Sequence, residues 1–288
     1  MIRIGTRGSA LAMAQARWVA EHLEPETTLQ VVTTAGDRGE THADKSEWVS
    51  ELEQALLDGL IDIAVHSAKD VPAELADGLE IVAIPARADP RDALCGARSL
   101  ASLPAGARVG TSSLRRQAQL RAARDDLEVV EIRGNVDTRL RKLANGDYDA
   151  LVLAVAGLER LGRADHAGGM LQELVPAAGQ GALAIEARAG WVAGDSEASS
   201  SLEALRDPEA TECVEAEREL TRRLGASCNS AVGANARPAG NGNVELRAWV
   251  GRSDGSAWIG DRLTGQPEGL GAAMAERLLS VGAERMLR

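Results

Sequence analysis

Ala107-Arg108-Val109-Gly110-Thr111-Ser112-Ser113-Leu114-Arg115-Arg116 carries three structural signals in succession. The short apolar run Ala107–Gly110 predicts a strand. Thr111-Ser112-Ser113 offers hydroxyls that accept hydrogen bonds from the free N–H groups at a helix start. The spacing from Leu114 predicts that helix, running to Ala123. Beyond it the pattern continues as a strand over Leu127–Ile132, a helix over Val136–Ala144 and a strand over Ala150–Ala154. This is βαβ rhythm, which implies a parallel or mixed sheet with helices on both faces.

The same rhythm stands upstream. Strands are predicted at Ile2–Gly5, Thr28–Thr33, Ile61–His66 and Leu79–Ile84, and helices at Ala10–Leu23 and Trp48–Leu57. The chain therefore reads as two tandem α/β units, with a boundary near Pro85–Asp92. Ala182–Ala187 is a further strand placed to cross back to the first unit. A break rich in Gly, Ser and acid follows at Gly190–Ser201. After it come a helix over Glu209–Leu224, strands at Val244–Val250 and Ser256–Leu263, and a closing helix from Gly269. That final part reads as a smaller α+β domain. The expected domains are 1–86 with 182–200, 90–178, and 204–288.

Composition limits what such a chain does. It has 288 residues, more than one core usually holds, and 44% are hydrophobic. Phe is absent and aromatics make up only 2%, so the cores must be packed with Ala, Val, Leu and Ile. The net charge of −11 repels nucleic acid and anionic membrane on average. The N-terminus shows no apolar run of a signal peptide, and no stretch approaches the ~18 apolar residues of a membrane span. These features point to a soluble, cytoplasmic protein. Cys95, Cys213 and Cys228 are widely spaced, and no Cys/His pattern supports a metal site.

Polar residues gather where predicted strands end, the side on which open α/β sheets bind ligands. The clusters are Thr6-Arg7-Gly8-Ser9; His66-Ser67-Ala68-Lys69-Asp70; Thr111 to Arg116; and Arg133-Gly134-Asn135 with Arg139 one turn further. Helix starts present free N–H groups, and Arg adds a bidentate grip on carboxylate or phosphate. Any one cluster alone reads more simply as a cap plus a solvated charge. Four of them in two tandem units imply a ligand with several negative charges. Asp70 is the exception among these cations. It either faces a positive charge that develops during reaction, or it pairs with Lys69 or forms a turn before Val71-Pro72. Cys228, in the small-residue loop Gly225-Ala226-Ser227-Cys228-Asn229-Ser230, is the best thiol nucleophile candidate. Cys213 in its helical run and Cys95 in its apolar stretch read as packing.

These stretches, together with Asp89-Pro90-Arg91-Asp92-Ala93, Leu153-Ala154-Val155-Ala156-Gly157-Leu158 and Gly179-Gln180-Gly181, resemble the porphobilinogen deaminase (hydroxymethylbilane synthase) family from about Ile2 to the C-terminus. The resemblance implies two tandem periplasmic-binding-protein-like α/β domains plus a smaller C-terminal α+β domain. It implies a transferase of porphyrin and heme biosynthesis. Such an enzyme condenses four porphobilinogens, with loss of ammonia, on a covalently bound dipyrromethane primer, and water then releases the linear tetrapyrrole hydroxymethylbilane. By this similarity Asp70 is the catalytic carboxylate, and Cys228 carries the dipyrromethane through a thioether. Lys69, Ser67, Thr111, Ser113, Arg115, Arg116 and Lys45 would bind the cofactor. Arg7, Ser9, Arg133, Arg139 and Gln180 would bind the substrate. The resemblance further implies a monomer that passes its product to uroporphyrinogen-III synthase.

Two segments depart from the family pattern. Ala43-Asp44-Lys45-Ser46-Glu47-Trp48 lacks the usual glycines, with Lys45 in the lysine place and Trp48 in the aromatic one. Around Cys228 the usual glycines and proline are Ala226, Ser227 and Ala231. A second reading remains beside the enzyme: a non-catalytic cytoplasmic protein that binds a small polycarboxylate on the same scaffold. Such a protein needs neither Asp70 nor Cys228.

Overall fold

The computed structural model describes residues 1–24, 26–33, 49–191, 196–227 and 229–287. Lys45, Cys228 and the Trp48 start of a predicted helix lie outside the described residues. The first sheet-forming part contains β1 (Ile2–Thr6), the helix Ala10–His22, β2 (Thr27–Val31), the helix Ser50–Leu57, β3 (Ile63–Ser67) and β4 (Leu79–Ala83). The second contains β5 (Asp92–Cys95), β6 (Arg108–Gly110), the helix Leu114–Ala123, β7 (Glu128–Val130), the helix Val136–Ala144, β8 (Ala150–Ala154), the helix Val155–Arg160 and β9 (Ala167–Leu171). There follow β10 (Leu183–Arg188), the helices Ser196–Leu205 and Pro208–Arg223, β11 (Val232–Gly240), β12 (Asn243–Gly251), β13 (Trp258–Gly265) and the helix Leu270–Ser280.

The two large sheets share one plan. Their strand orders are β2-β1-β3-β10-β4 and β7-β6-β8-β5-β9. In the first, β1 runs parallel to β2 and β3, while β10 is antiparallel to both β3 and β4. In the second, β6 runs parallel to β7 and β8, while β5 is antiparallel to both β8 and β9. Each reversed strand arrives from the other half of the chain. The chain leaves β4 to enter the second sheet as β5, and leaves β9 to enter the first as β10. The predicted return of Ala182–Ala187 to the first unit is thus present. Two crossing segments, 84–91 and 172–182, join the halves beside the strand ends that carry the polar clusters.

The cores are aliphatic, as the lack of Phe requires. Ile4, Ile63, Val65 and Ile185 pack with Ala16 and Val19 on one face of the first sheet. Leu52, Leu56, Ile61 and Ala64 form the other. Each fully buried Leu or Ile contributes about 1.5–3 kcal/mol. The small α+β part is an antiparallel sheet, β11-β12-β13, covered by the helices Pro208–Arg223 and Leu270–Ser280. It holds the crossing segments through Glu217, which is fully buried. Glu217 accepts from Arg87 Nη1 at 2.7 Å, from Gly179 N at 2.6 Å and from Ala236 N at 2.6 Å.

Several elements differ from the expectations. β5, β9, β11 and the helix Val155–Arg160 were not anticipated. β5 is only four residues long and buried throughout, so it shows no alternation. In β9, Gly168 and Gly169 argue against a strand, yet a Cβ at either would run into the Ala97 and Arg98 carbonyls. The predicted break at Gly190–Ser201 ends in the helix Ser196–Leu205, whose Ala198 and Leu202 bury against the first core one turn apart. Apart from these, the fold is the expected one: two tandem α/β sheets and a smaller α+β part.

Candidate active site

Helix caps fix the polar clusters locally. Ser9 accepts from Ala12 N at the start of Ala10–His22, Ser113 from Arg116 N, and Asn135 from Thr138 N. Thr111 is fully buried and its hydroxyl accepts from Ser113 N at 3.2 Å. After β3 the chain makes a single 3-10 turn, Ala68–Asp70, closed by Val71 N donating to Ala68 O. Gly179 of the crossing segment lies against this turn at φ +71°, where a Cβ would meet the Ala68 carbonyl carbon at 2.8 Å. Only glycine fits that approach and that backbone.

Two cavities meet at Asp70. The larger, of about 400 Å³, is lined by Lys69, Asp70, Ser113, Arg115, Arg218, Arg222, Ser227 and Ser230, among others. The smaller, of about 70 Å³, is lined by Arg7, Ser9, Gln15, His66, Ser67 and Asp70. All three parts of the chain contribute to the larger one. Ser227 N donates to Ser230 Oγ at 3.1 Å and Ser230 N to Ser227 O at 3.0 Å, so the described flanks of the Cys228 loop form a closed turn at its wall.

A buried charge network stands behind the cavity. Arg115 Nη2 and Arg116 Nη2 donate to the two Asp92 carboxylate oxygens at 2.9 and 2.7 Å. Gln180 Nε2 donates to Asp92 Oδ1 and to Pro90 O, both at 2.7 Å, while its Oε1 accepts from Lys69 Nζ at 3.4 Å. Burial pushes the Asp92 carboxyl up. The Arg115 and Arg116 charges, with hydrogen bonds from Arg116 and Gln180, outweigh this and hold it well below the usual carboxylate range. Burial pulls Arg115 down against the pull of Asp92. Two cations face one carboxylate, which leaves positive charge uncompensated in this network. Arg115 Nε is buried and has no hydrogen-bond partner among the described residues.

Arg133 and Arg139 sit elsewhere. Arg133 is exposed and pairs with Glu131 at 2.9 Å. Arg139 is half-buried, donating to Gly134 O at 2.7 Å and to Ser112 Oγ at 3.0 Å. Burial and the nearby Arg116 charge pull it down to about 10. Neither lines the two cavities. Behind β3, His66 Nε2 lies 3.0 Å from Glu186 Oε2, both buried, and burial with the Glu186 charge raises the Glu53 carboxyl.

The thiols are separated by their surroundings. Burial pushes Cys95 up to about 11 and Cys213 up to about 12, so neither is a thiolate at neutral pH. Sequence reasoning missed Arg218, Thr221 and Arg222, which line the larger cavity from the Pro208–Arg223 helix. Their spacing was legible, since positions 218 and 222 share a helix face that leads toward the Cys228 loop. Among the described residues, Arg222 has no carboxylate partner. The residues fit a polycarboxylate cofactor: an orphaned Arg115 donor, Lys69 and Arg222 give a cationic wall, and Ser113, Ser227 and Ser230 add hydroxyls.

Fold and site together define an α/β scaffold with a cation-lined cavity that a third part, bearing the Cys228 loop, completes. Residues 2–194 match the family model described as porphobilinogen deaminase, dipyromethane cofactor binding domain, and residues 211–280 match the porphobilinogen deaminase C-terminal domain. A porphobilinogen deaminase of Deinococcus deserti is 44% identical, covering 99% of this chain and 97% of its own length. Those of Roseiflexus castenholzii and Thermus thermophilus are 45% and 44% identical, covering 99% and 100% of this chain and 98% of their own lengths. The chain belongs to the porphobilinogen deaminase family, and its residues 2–194 form that family's dipyrromethane cofactor-binding region. This membership does not favour the non-catalytic binding protein. Among solved structures, an ABC-transporter periplasmic substrate-binding protein from Coxiella burnetii aligns over 73% of this chain and 94% of its own at 15% identity and a TM-score of 0.43. An overlap that weak adds nothing to the fold read from the sheets.

Proposed function

We propose that this chain is a transferase that joins four porphobilinogens, with loss of ammonia, and releases hydroxymethylbilane by hydrolysis. The observation that carries the reading is the place of Asp70, where a cation-lined cavity meets a smaller pocket. A carboxylate there weakens the grip on anionic side chains, so its benefit must come from the reaction. Asp70 accepts pyrrole N–H groups and stabilises the positive charge left on the substrate as ammonia departs from its aminomethyl carbon. A carbon–carbon bond then forms at that carbon, and the attacking α-carbon loses its proton.

Dipyrromethane, attached through a thioether to Cys228, supplies the pyrrole α-carbon from which the chain grows. Lys69, Ser113, Arg115 and Arg222 hold its carboxylates on the cavity side, with Ser67 of the smaller pocket, Thr111 and Lys45 as further cofactor-binding groups. Arg116 and Gln180 act from behind, fixing Asp92 and Lys69. Arg7 and Ser9 receive substrate carboxylates in the smaller pocket. Arg133 and Arg139 take those that each added ring brings beyond the cavity.

We divide the chain into domains 1–86 with 182–200, 90–178, and 204–288, a reading that the three sheets support. Among the described residues no helix is long and apolar enough to cross a membrane. A monomeric cytoplasmic enzyme that hands its product to uroporphyrinogen-III synthase is the setting we infer. Asp70→Asn tests the role of the carboxylate. The variant is expected to fold and keep its ligands, yet lose turnover by more than about a hundredfold. Product formation near the normal rate would remove Asp70 from the reaction.

A further inference from the structure

Arg218 belongs to the Pro208–Arg223 helix but spends its donors on the first unit. Its Nη2 donates to Pro72 O at 2.7 Å and Ala73 O at 3.3 Å, and its Nη1 to Val71 O at 3.3 Å. These three carbonyls directly follow the Ala68–Asp70 turn. The stretch 71–78 is neither helix nor strand, so its carbonyls have no ladder to join. A planar guanidinium presents its donors in a fixed fork that suits neighbouring carbonyls, whereas an ammonium is a compact charge on a flexible stem and fixes their geometry less well. Burial pulls Arg218 down, opposed by the fully buried Glu186 of β10 across the unit boundary, with Arg222 adding to the fall and Glu215 resisting it. The same helix ends at Arg223 and leads through Gly225 into Ala226 and Ser227 at the cavity wall.

We propose that Arg218 is a positioning residue: its grip on the Val71, Pro72 and Ala73 carbonyls sets Asp70 in place against the helix that leads into the Ser227–Ser230 loop. The inference rests on the reading of Asp70 given above. The clamp ties the carboxylate to the part of the chain that ends in the thiol loop, so the two keep their spacing. An arginine that served only as interface adhesive would give stability without affecting the rate at fixed ligand occupancy.

The test uses full-length Arg218→Gln and Arg218→Lys, with Arg223→Gln as a matched loss of charge. Arg223 is exposed, lies 4.0 Å from Glu219 and does not line the cavity. Turnover of porphobilinogen, intact mass and local hydrogen exchange are measured on each. In Arg218→Gln, kcat is expected to fall by about ten- to a hundredfold, the scale of an ångström-sized misplacement. KM should stay within about threefold and the added mass be retained, because binding groups are untouched. Exchange should quicken at residues 70–75 alone. Arg218→Lys should lie between, and Arg223→Gln should match the unmodified chain. An Arg218→Gln protein with normal kcat overturns the proposal, as does a loss accompanied by faster exchange throughout. If that variant fails to fold, an Arg218→Lys protein of normal kcat and unchanged local exchange overturns it instead. An unmodified chain with neither turnover nor added mass overturns the underlying reading and the proposal together, a result separable from the others.

Discussion

Arg115 and Arg116 open one helix of the second sheet, and Arg133 and Arg139 flank the start of the next. In sequence both pairs are arginines beside a capping residue at a strand end. In the fold, Arg115 and Arg116 are 4% and 6% exposed and share Asp92, whereas Arg133 is exposed and pairs with Glu131, and Arg139 donates to Gly134 O and Ser112 Oγ. The first pair is fixed in advance and expensive to disturb. The second is tied to groups near it in its own unit and lies closer to solvent, so less is lost when either turns toward an anion. A site that must hold a short ligand firmly and a longer one progressively has use for both kinds.

The contrast is sharpest in stability. Asp92→Asn removes the charge that two buried cations share, and is expected to cost about 3–5 kcal/mol, read from the urea midpoint. A loss below about 1 kcal/mol would mean that the network is not buried as described. Acid should show the same asymmetry. The folded Asp92 carboxyl is held below its unfolded value of about 4. Its stabilisation is therefore fully present above that value and is lost as pH falls below it toward the folded pKa. Stability of the unmodified chain should decline below about pH 4, and Asp92→Asn should lack that part of the slope.

Ligand binding is expected to weigh the groups differently. Arg222→Gln removes a cavity cation with no carboxylate partner among the described residues, so loading of the cofactor mass from added porphobilinogen should need about tenfold more of it, near 1.4 kcal/mol, while the midpoint barely moves. Glu131→Gln leaves Arg133 without its exposed partner and should change stability by less than about 0.5 kcal/mol. Smallest of all, iodoacetamide at pH 8 should leave Cys95 and Cys213 unlabelled in the native protein, since burial keeps both thiols protonated. Labelling of either would show that its part of the core opens readily.

Much of the fold could be read in advance because its elements carry ordinary signals. Ser113 and Asn135 cap helices whose predicted limits, Leu114–Ala123 and Val136–Ala144, agree with those found. What escaped reading depends on partners distant in sequence. β5 is recognisable only once β8 and β9 lie on either side of it, and β9 tolerates its glycines because two carbonyls need the room. The site divides the same way. Asp70, Lys69 and Ser113 stood out as polar residues at strand ends. Arg218 and Arg222 did not, because nothing in a helix pattern says which face another part of the chain will cover. Asp92 read as part of a motif, and its role as counter-ion appears only when β5 meets the helix Leu114–Ala123.

The intact mass of freshly purified, denatured protein tests the central claim most directly. The account predicts an excess over the sequence mass equal to one dipyrromethane, carried by the peptide that contains Cys228. A protein of unmodified mass that stays unmodified after incubation with porphobilinogen would contradict it.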